Sequence, residues 1–286
     1  MSADRSPTVK RRRLAAELRR LREQSGMTCE EVGSRLLVSG SKISRLETGR
    51  RGIQPRDVRD LLDLYGVDDE DKREALMTLT RQARQKGWWH RYGEAIPEWF
   101  EVYVGLEAEA STLRTYEAEL VPGLLQTVDY ARAVHRAADT EGSSQEIERR
   151  LEIRMARQEL LTRPASPRFW AVMNEAVIRR VVGGQGLMRL QLERLAEAAE
   201  LPNVTLQILP FGAGAHAAML SSFHVLEFPE RVDPDVVYLE NMTGALYLEK
   251  PAEVDRYILA FDHLKAKALD PDESVTLIAR VAKELR

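Results

Sequence analysis

The stretch VSGSKISRLETGRR, residues 38–51, decides how the first third of the chain is read. Ser39 is a good helix N-cap, and Val38 before it can close a hydrophobic staple with Ile43 after it, so a helix opens at residue 40. Ile43 and Leu46, three apart, point inward; Gly40, Ser41, Lys42, Ser44, Arg45 and Thr48 are left outside. Gly49 stops the helix, and Arg50 and Arg51 follow at once. Small and flexible side chains on the outer face let such a helix sink into the major groove of DNA, where Lys42 and Arg45 can reach bases or phosphates. The same pattern also describes an amphipathic surface helix with a basic end, and only its neighbours separate the two.

Those neighbours supply a core. In LAAELRRLREQ, residues 14–24, Leu14, Leu18 and Leu21 fall on one helical face, and Ser25-Gly26 ends the run. In MTCEEVGSRLL, Thr28 and Glu31 form a capping box with Met27 and Val32 as its staple, which starts a second helix at residue 29. Two short helices joined by three or four residues, the second with a polar and basic outer face, meet the requirements of a helix-turn-helix. A fourth helix begins at Pro55 and buries Val58, Leu61, Leu62 and Tyr65; aspartates at 68, 69 and 71 favour a fifth, running to about residue 86. Five such helices make an all-α domain over residues 10–85.

The charge distribution points the same way. Residues 1–95 carry 21 Lys and Arg against 15 Asp and Glu, and residues 96–286 carry 21 against 30, so a basic module sits on an acidic body. Lys10, Arg11, Arg12 and Arg13 fit either a solvated tail or an arm over phosphates or the minor groove. The absence of an apolar stretch near the roughly 20 residues that span a bilayer, and of an apolar segment after the basic N-terminus, predicts a cytoplasmic protein that meets no membrane. The single cysteine, Cys29, forms neither an internal disulfide nor a zinc cluster, and reads as a small, half-buried side chain.

Residues 14–65, with SKISRLETGRR at their centre, resemble the Cro/C1-type (Xre) helix-turn-helix domain. Residues 87–286 resemble the WhiJ-like C-terminal domain of actinobacterial, antitoxin-like regulators, through the phrases GWWHRYGEAIPEWFEVYVGLEAEASTLRTYEAELVPGLLQT, RMARQELLTRP, LPNVTLQILPF, GAHAAM and TGALYLEKP. The resemblance implies base contacts from Gly40, Ser41 and Arg45 with Lys42 and Ser44 beside them, phosphate contacts near Thr28 and Cys29, and a scaffold ion pair between Arg22 and Glu47. It departs from the family at two places: Cys29 stands where glutamine usually contacts a phosphate, and Leu37 stands where the turn usually has glycine. Arg50 and Arg51 are read as phosphate contacts, which position a domain without reading sequence.

Residues 86–104 form an aromatic-rich connecting segment, with Trp88, Trp89, Tyr92, Trp99, Phe100 and Tyr103 in a short span. They suit either docking of the two domains or a ligand-binding cage. Over residues 105–286, strands are expected at 111–117, 168–173, 204–209, 222–228 and 236–240, and helices at 124–137, 145–161, 185–200, 252–268 and 272–285. Together they make a mixed α+β domain. Phe211 to Ala217 superficially match a dinucleotide glycine motif, but Pro210 precedes them and a β-like SSFHVLEF follows, so a turn is expected. The histidines at 90, 135, 216, 224 and 263 show no ligand spacing, and no nucleophile elbow or P-loop lysine is present.

The expectation is therefore a homodimeric, sequence-specific transcription regulator on a double-stranded DNA operator, with no catalysis, cofactor or metal. Its second domain would receive a signal from a small protein encoded by a neighbouring gene or from a ligand. Two alternatives stay open: an antitoxin-like protein that sequesters its partner and binds DNA for autoregulation, and a small-molecule sensor built on the aromatic cluster.

Overall fold

A computed structural model of the chain describes residues 7–49, 52–138, 143–230 and 233–285. It divides into two compact units, Met1–Arg91 and Tyr92–Arg286.

The first unit is all-helical: α1 (Pro7–Gln24), α2 (Cys29–Arg35), α3 (Gly40–Glu47), α4 (Pro55–Leu64) and α5 (Glu70–Ala83); a 3-10 segment, Trp88–Ala95, begins in it and ends in the second unit. Its core is the set of inward positions given by the helical periodicity, with Leu14, Leu18, Val32, Ile43, Val58 and Leu61 all buried. The Thr28–Glu31 capping box is formed, Ser39 accepts from the Lys42 amide, and Met27 and Val38 pack against the core as staples. One expectation is corrected: Lys10, Arg11, Arg12 and Arg13 are neither tail nor arm. They are turns of α1, which opens at Pro7, and Lys10 is buried. Proline at the first helical position and Val9 on the inward face extend the helix backwards through a run whose charge hid it.

The second unit is a six-stranded mixed sheet with helices packed on it. Its elements are α6 (Glu98–Glu107), β1 (Thr112–Glu117), α7 (Val128–Ala138), α8 (Ser144–Gln158), β2 (Arg168–Asn174), α9 (Glu175–Arg179), α10 (Gln185–Ala199), β3 (Val204–Leu209), β4 (Phe223–Glu227), β5 (Val236–Asn241), β6 (Gly244–Leu248), α11 (Pro251–Lys267) and α12 (Pro271–Glu284). Strand order is β3-β2-β1-β4-β5-β6; β1, β2 and β3 run parallel, and every other pairing is antiparallel. One face carries Tyr116, Val172, Phe223 and Val225 against Phe261 and Leu264 of α11. The outer edge of β3 is closed, since the Ile208 amide donates to the Ser274 hydroxyl and its carbonyl accepts from the Leu269 amide.

The sequence reading missed α6, α9 and β6, and ran helix 145–161 through a break that the structure makes 3-10 at Glu159–Leu161. The segment 211–217 is a turn: a 3-10 stretch at Phe211–Ala213 ends at Gly214 with φ 66° and opens no helix.

Leu37, between α2 and α3, has φ 55° and is 93% exposed. A Cβ in this left-handed conformation costs roughly 1–2 kcal/mol, and an exposed side chain returns no burial. Leu37→Gly should therefore raise the stability of the helical unit by about 1 kcal/mol after the extra flexibility of the unfolded chain is counted. A urea unfolding midpoint that stays level or falls would contradict this.

Candidate nucleic-acid interface

The geometry of α2 and α3 rests on two glycines. A Cβ at Gly33 would lie 2.8 Å from both the Gly40 amide nitrogen and the Val38 carbonyl oxygen, and one at Gly40 would lie 3.1 Å from Glu30 Cα. The backbones of the two helices meet directly there. The sequence reading explained Gly40 by insertion into a groove; the structure shows that the helix crossing already requires it.

The inner face of α3 is fixed by charge as well as by packing. Arg22 of α1 donates from Nε to both carboxylate oxygens of Glu47 at 2.9 Å, and from Nη1 to the Met27 carbonyl at 2.8 Å. The Glu47 side chain is 4% exposed and that of Arg22 13%. Tyr65 donates to Glu47 from the α4 side at 3.5 Å, and Cys29 Sγ lies 4.0 Å from its Oε2. Burial and then the Glu47 charge push the Cys29 thiol up, so it is a protonated, half-buried side chain and no thiolate. Thr28 is exposed, but its hydroxyl and amide are held by Glu31.

On the outer face, Ser41, Ser44, Arg45 and Thr48 are exposed. Arg45 Nε donates to the Ser41 carbonyl at 3.3 Å, a weak bond on the solvent side that a better acceptor can replace. Thr48 turns its hydroxyl onto the Ser44 carbonyl at 2.9 Å. Lys42 stands apart: it is half-buried, and its ammonium contacts Asp57 of α4 at 3.2 Å. Arg50 and Arg51 lie outside the described residues.

The aromatic residues expected as one cluster have partners within each unit. In the first, Trp89 is buried with its ring over Gly87, stacked on His90, and Trp88 meets it edge-on at 6.0 Å. In the second, Tyr92 is half-buried, while Trp99 and Phe100 belong to α6, where Phe100 stacks on Tyr103 at 5.6 Å and lies under the Arg157 guanidinium at 5.0 Å. Glu107, Glu117, Arg154 and Arg157, which the sequence pattern does not single out, lie around Tyr103 and His224 in this second group. Among the described residues, no group of three or more His, Cys, Asp or Glu is placed to hold a metal ion, and no helix is long and apolar enough to cross a membrane.

Two substitutions test the scaffold. Glu47→Gln leaves the Arg22 guanidinium without its charge partner and should destabilise the helical unit by about 3 kcal/mol. Gly33→Ala drives a methyl into two backbone atoms and should cost about 2–3 kcal/mol. Calorimetry of the full chain checks both, and an unchanged helical-unit transition for either variant would contradict the corresponding constraint.

Residues 13–76 match the profile of a helix-turn-helix domain, and residues 100–280 that of a domain of unknown function (DUF5753). No curated protein and no solved structure matches the chain. The second match spans well over half of the sequence and takes in the whole six-stranded sheet; the protein belongs to the DUF5753 family, with a helix-turn-helix domain ahead of that family's domain.

Proposed function

We propose that the protein is a sequence-specific, DNA-binding transcription regulator of the Xre type whose second unit is a WhiJ-like signal-receiving domain. The observation that carries this reading is the two-sidedness of α3. Its inner face is locked by Ile43, Leu46 and the Glu47–Arg22 pair, and its outer face presents Ser41, Ser44 and Arg45 to solvent. A rigid helix with a solvent-exposed arginine and small hydroxyls has the form that major-groove readers take, because arginine pairs with guanine in a bidentate way and serine tolerates close approach. The protein acts as a cytoplasmic homodimer, placing two copies of α3 about one helical turn of DNA apart.

In this reading the roles divide as follows. Ser41 and Arg45 face base edges with Ser44 beside them. Lys42 would leave Asp57 to reach DNA, while Gly40 sets the depth of insertion. Thr28, Cys29, Arg50 and Arg51 lie along the phosphates. The second unit has no catalytic task; it passes on a signal from a small protein encoded nearby or from a ligand. The partly exposed Glu117 and His224 within the sheet of that unit favour the ligand.

Fluorescence anisotropy of the full chain on its own upstream DNA, against random competitor over a salt series, tests the reading. Arg45→Ala should cost about 1–3 kcal/mol on the specific site and relax its sequence preference, leaving random DNA nearly unaffected. Equal loss on both DNAs would remove Arg45 from the base contacts. Equal, steeply salt-dependent binding of the parent protein to both DNAs would sink the sequence-specific assignment itself.

A further inference from the structure

In the second unit, one row of paired residues crosses the sheet from Ala171 through Thr115 and His224 to Tyr238 and Tyr247. Tyr103 of α6 packs on the middle of this row, 5.5 Å from the His224 ring and 4.3 Å from that of Tyr238, and Arg157 of α8 lies over Tyr103. A sheet face covered by helices should be dry, and Thr115 and Tyr238 are each 1% exposed. His224 between them nevertheless keeps 22% of its side chain exposed, and Glu117, two residues along β1 on the same face, keeps 14%. Solvent therefore touches His224 and Glu117 at the carboxyl end of β1. That strand is where the order of the sheet turns, with β2 and β3 to one side and β4 to β6 on the other.

The ionic groups around it are incompletely matched. Arg157 is fully engaged, donating from Nε and Nη2 to the two oxygens of Glu107 at 2.7 and 2.8 Å, with both side chains buried. Arg154, three residues earlier on α8, is half-buried and donates one hydrogen bond, from Nη1 to Gln126 at 2.9 Å; its Nε is dry and has no acceptor. The loop after β1 presses on it, since a Cβ at Gly123 would sit 2.9 Å from its Nη1. His224 Nε2 lies 3.5 Å from Glu117, and its Nδ1 lies 3.5 Å from the Tyr103 hydroxyl. A buried guanidinium N–H without an acceptor, Arg154 Nε, is the kind of group that a bound acceptor would satisfy.

We propose that a cleft opens at the carboxyl end of β1, walled by Arg154, Glu117 and His224, and binds a small organic molecule through an oxyanion, a carboxylate or phosphate, that accepts from the Arg154 guanidinium. The planar fork of arginine matches both groups. Burial, followed by the neighbouring Arg157, lowers Arg154 to about 10, which leaves it cationic at neutral pH. Burial raises Glu117 to about 8, with Glu240 adding to the rise and Ser222 and Arg154 opposing it, so its carboxyl is neutral there and can donate to the same anion. Burial and the Arg157 charge push His224 down to about 3, so it is neutral as well. Glu117 faces His224 from β4, Arg154 from α8 and Glu240 from β5, and its ionisation adds a negative charge beside the anion. Affinity should accordingly fall several-fold as the pH rises through about 8. That such a ligand is the regulator's signal rests on the proposed function; that the cleft binds one does not.

The test is titration of the full-length, nitrogen-15-labelled protein with benzoate and phenyl phosphate, with benzylamine and benzamide as cationic and neutral counterparts. The Arg154 Nε–Hε resonance, identified by its loss in Arg154→Lys, should shift saturably with at least one anion and stay in place with the amine and the amide. Arg154→Lys should weaken the anion about tenfold. Glu117→Gln should abolish the fall in affinity above pH 8. No saturable shift with either anion, an equal response to benzylamine or benzamide, or full affinity in Arg154→Lys would overturn the site. Should Arg154→Lys fail to fold, the four parent isotherms and Glu117→Gln decide alone. DNA affinity measured with and without the anion is a separate arm: binding that leaves DNA affinity unchanged would keep the site and remove its role as the signal.

Discussion

The ion pair between Arg22 and Glu47 is the constraint on which the first unit's geometry depends. It ties the end of α1 to the end of α3 across 25 residues of sequence, and Arg22 also holds the Met27 carbonyl just before α2 begins. One guanidinium thus fixes both members of the helix-turn-helix relative to the helix behind them. Such a pair adds little net energy once its desolvation is counted, but it penalises any displacement that would leave either charge buried and alone. Apolar contacts at Ile43 and Leu46 hold α3 in place, and the ion pair sets its rotation about its own axis. Rotation decides which residues face outward, so a scaffold interaction determines the content of the outer face.

The second unit uses the same device differently. Arg157 and Glu107 join α8 to α6 in the same two-point manner and are drier than the pair in the first unit, at 6% and 2% exposed. Around them, however, the polar layer is left unfinished. Arg154, on the same helix, has no carboxylate of its own at hydrogen-bond distance, and Glu117 and His224 meet water in the middle of a sheet. A chain that needed only stability would fill those positions with apolar side chains, because a half-matched polar layer is worse than an apolar one.

Local grammar carried most of the fold. The capping box at Thr28–Glu31 and the staples at Met27 and Val38 involve residues within a few positions of one another, so periodicity and spacing revealed them. The elements that stayed hidden had weak local signals. The β6 sequence GALYL is five residues long and lacks polar alternation, and α9 is little more than one turn. The ionic layer was illegible for another reason. Glu107, Glu117, Arg154, Arg157 and His224 lie on four different elements, and only the strand order β1-β4-β5 together with the crossings of α6 and α8 brings them together. Ligand-spacing arguments test residues on one element, so His224 looked isolated although Glu117 sits beside it. On α3 the outer residues were legible, but the restraint of Lys42 by Asp57 and the packing reason for Gly40 were not, because both depend on other helices.

The brevity of α3 has a consequence for the lifetime of the protein. Eight residues are too few to hold a helix in water, where roughly 12–15 are needed even for favourable sequences, so its shape exists only while the unit around it is folded. Any partner that grips the outer face then binds the folded state alone, and by mass action it lowers the population of the unfolded chain, by about a hundredfold when present at a hundred times its dissociation constant. Proteases act on that unfolded chain. Occupancy and turnover are thereby linked: molecules seated on a partner persist, and the free excess is cleared first.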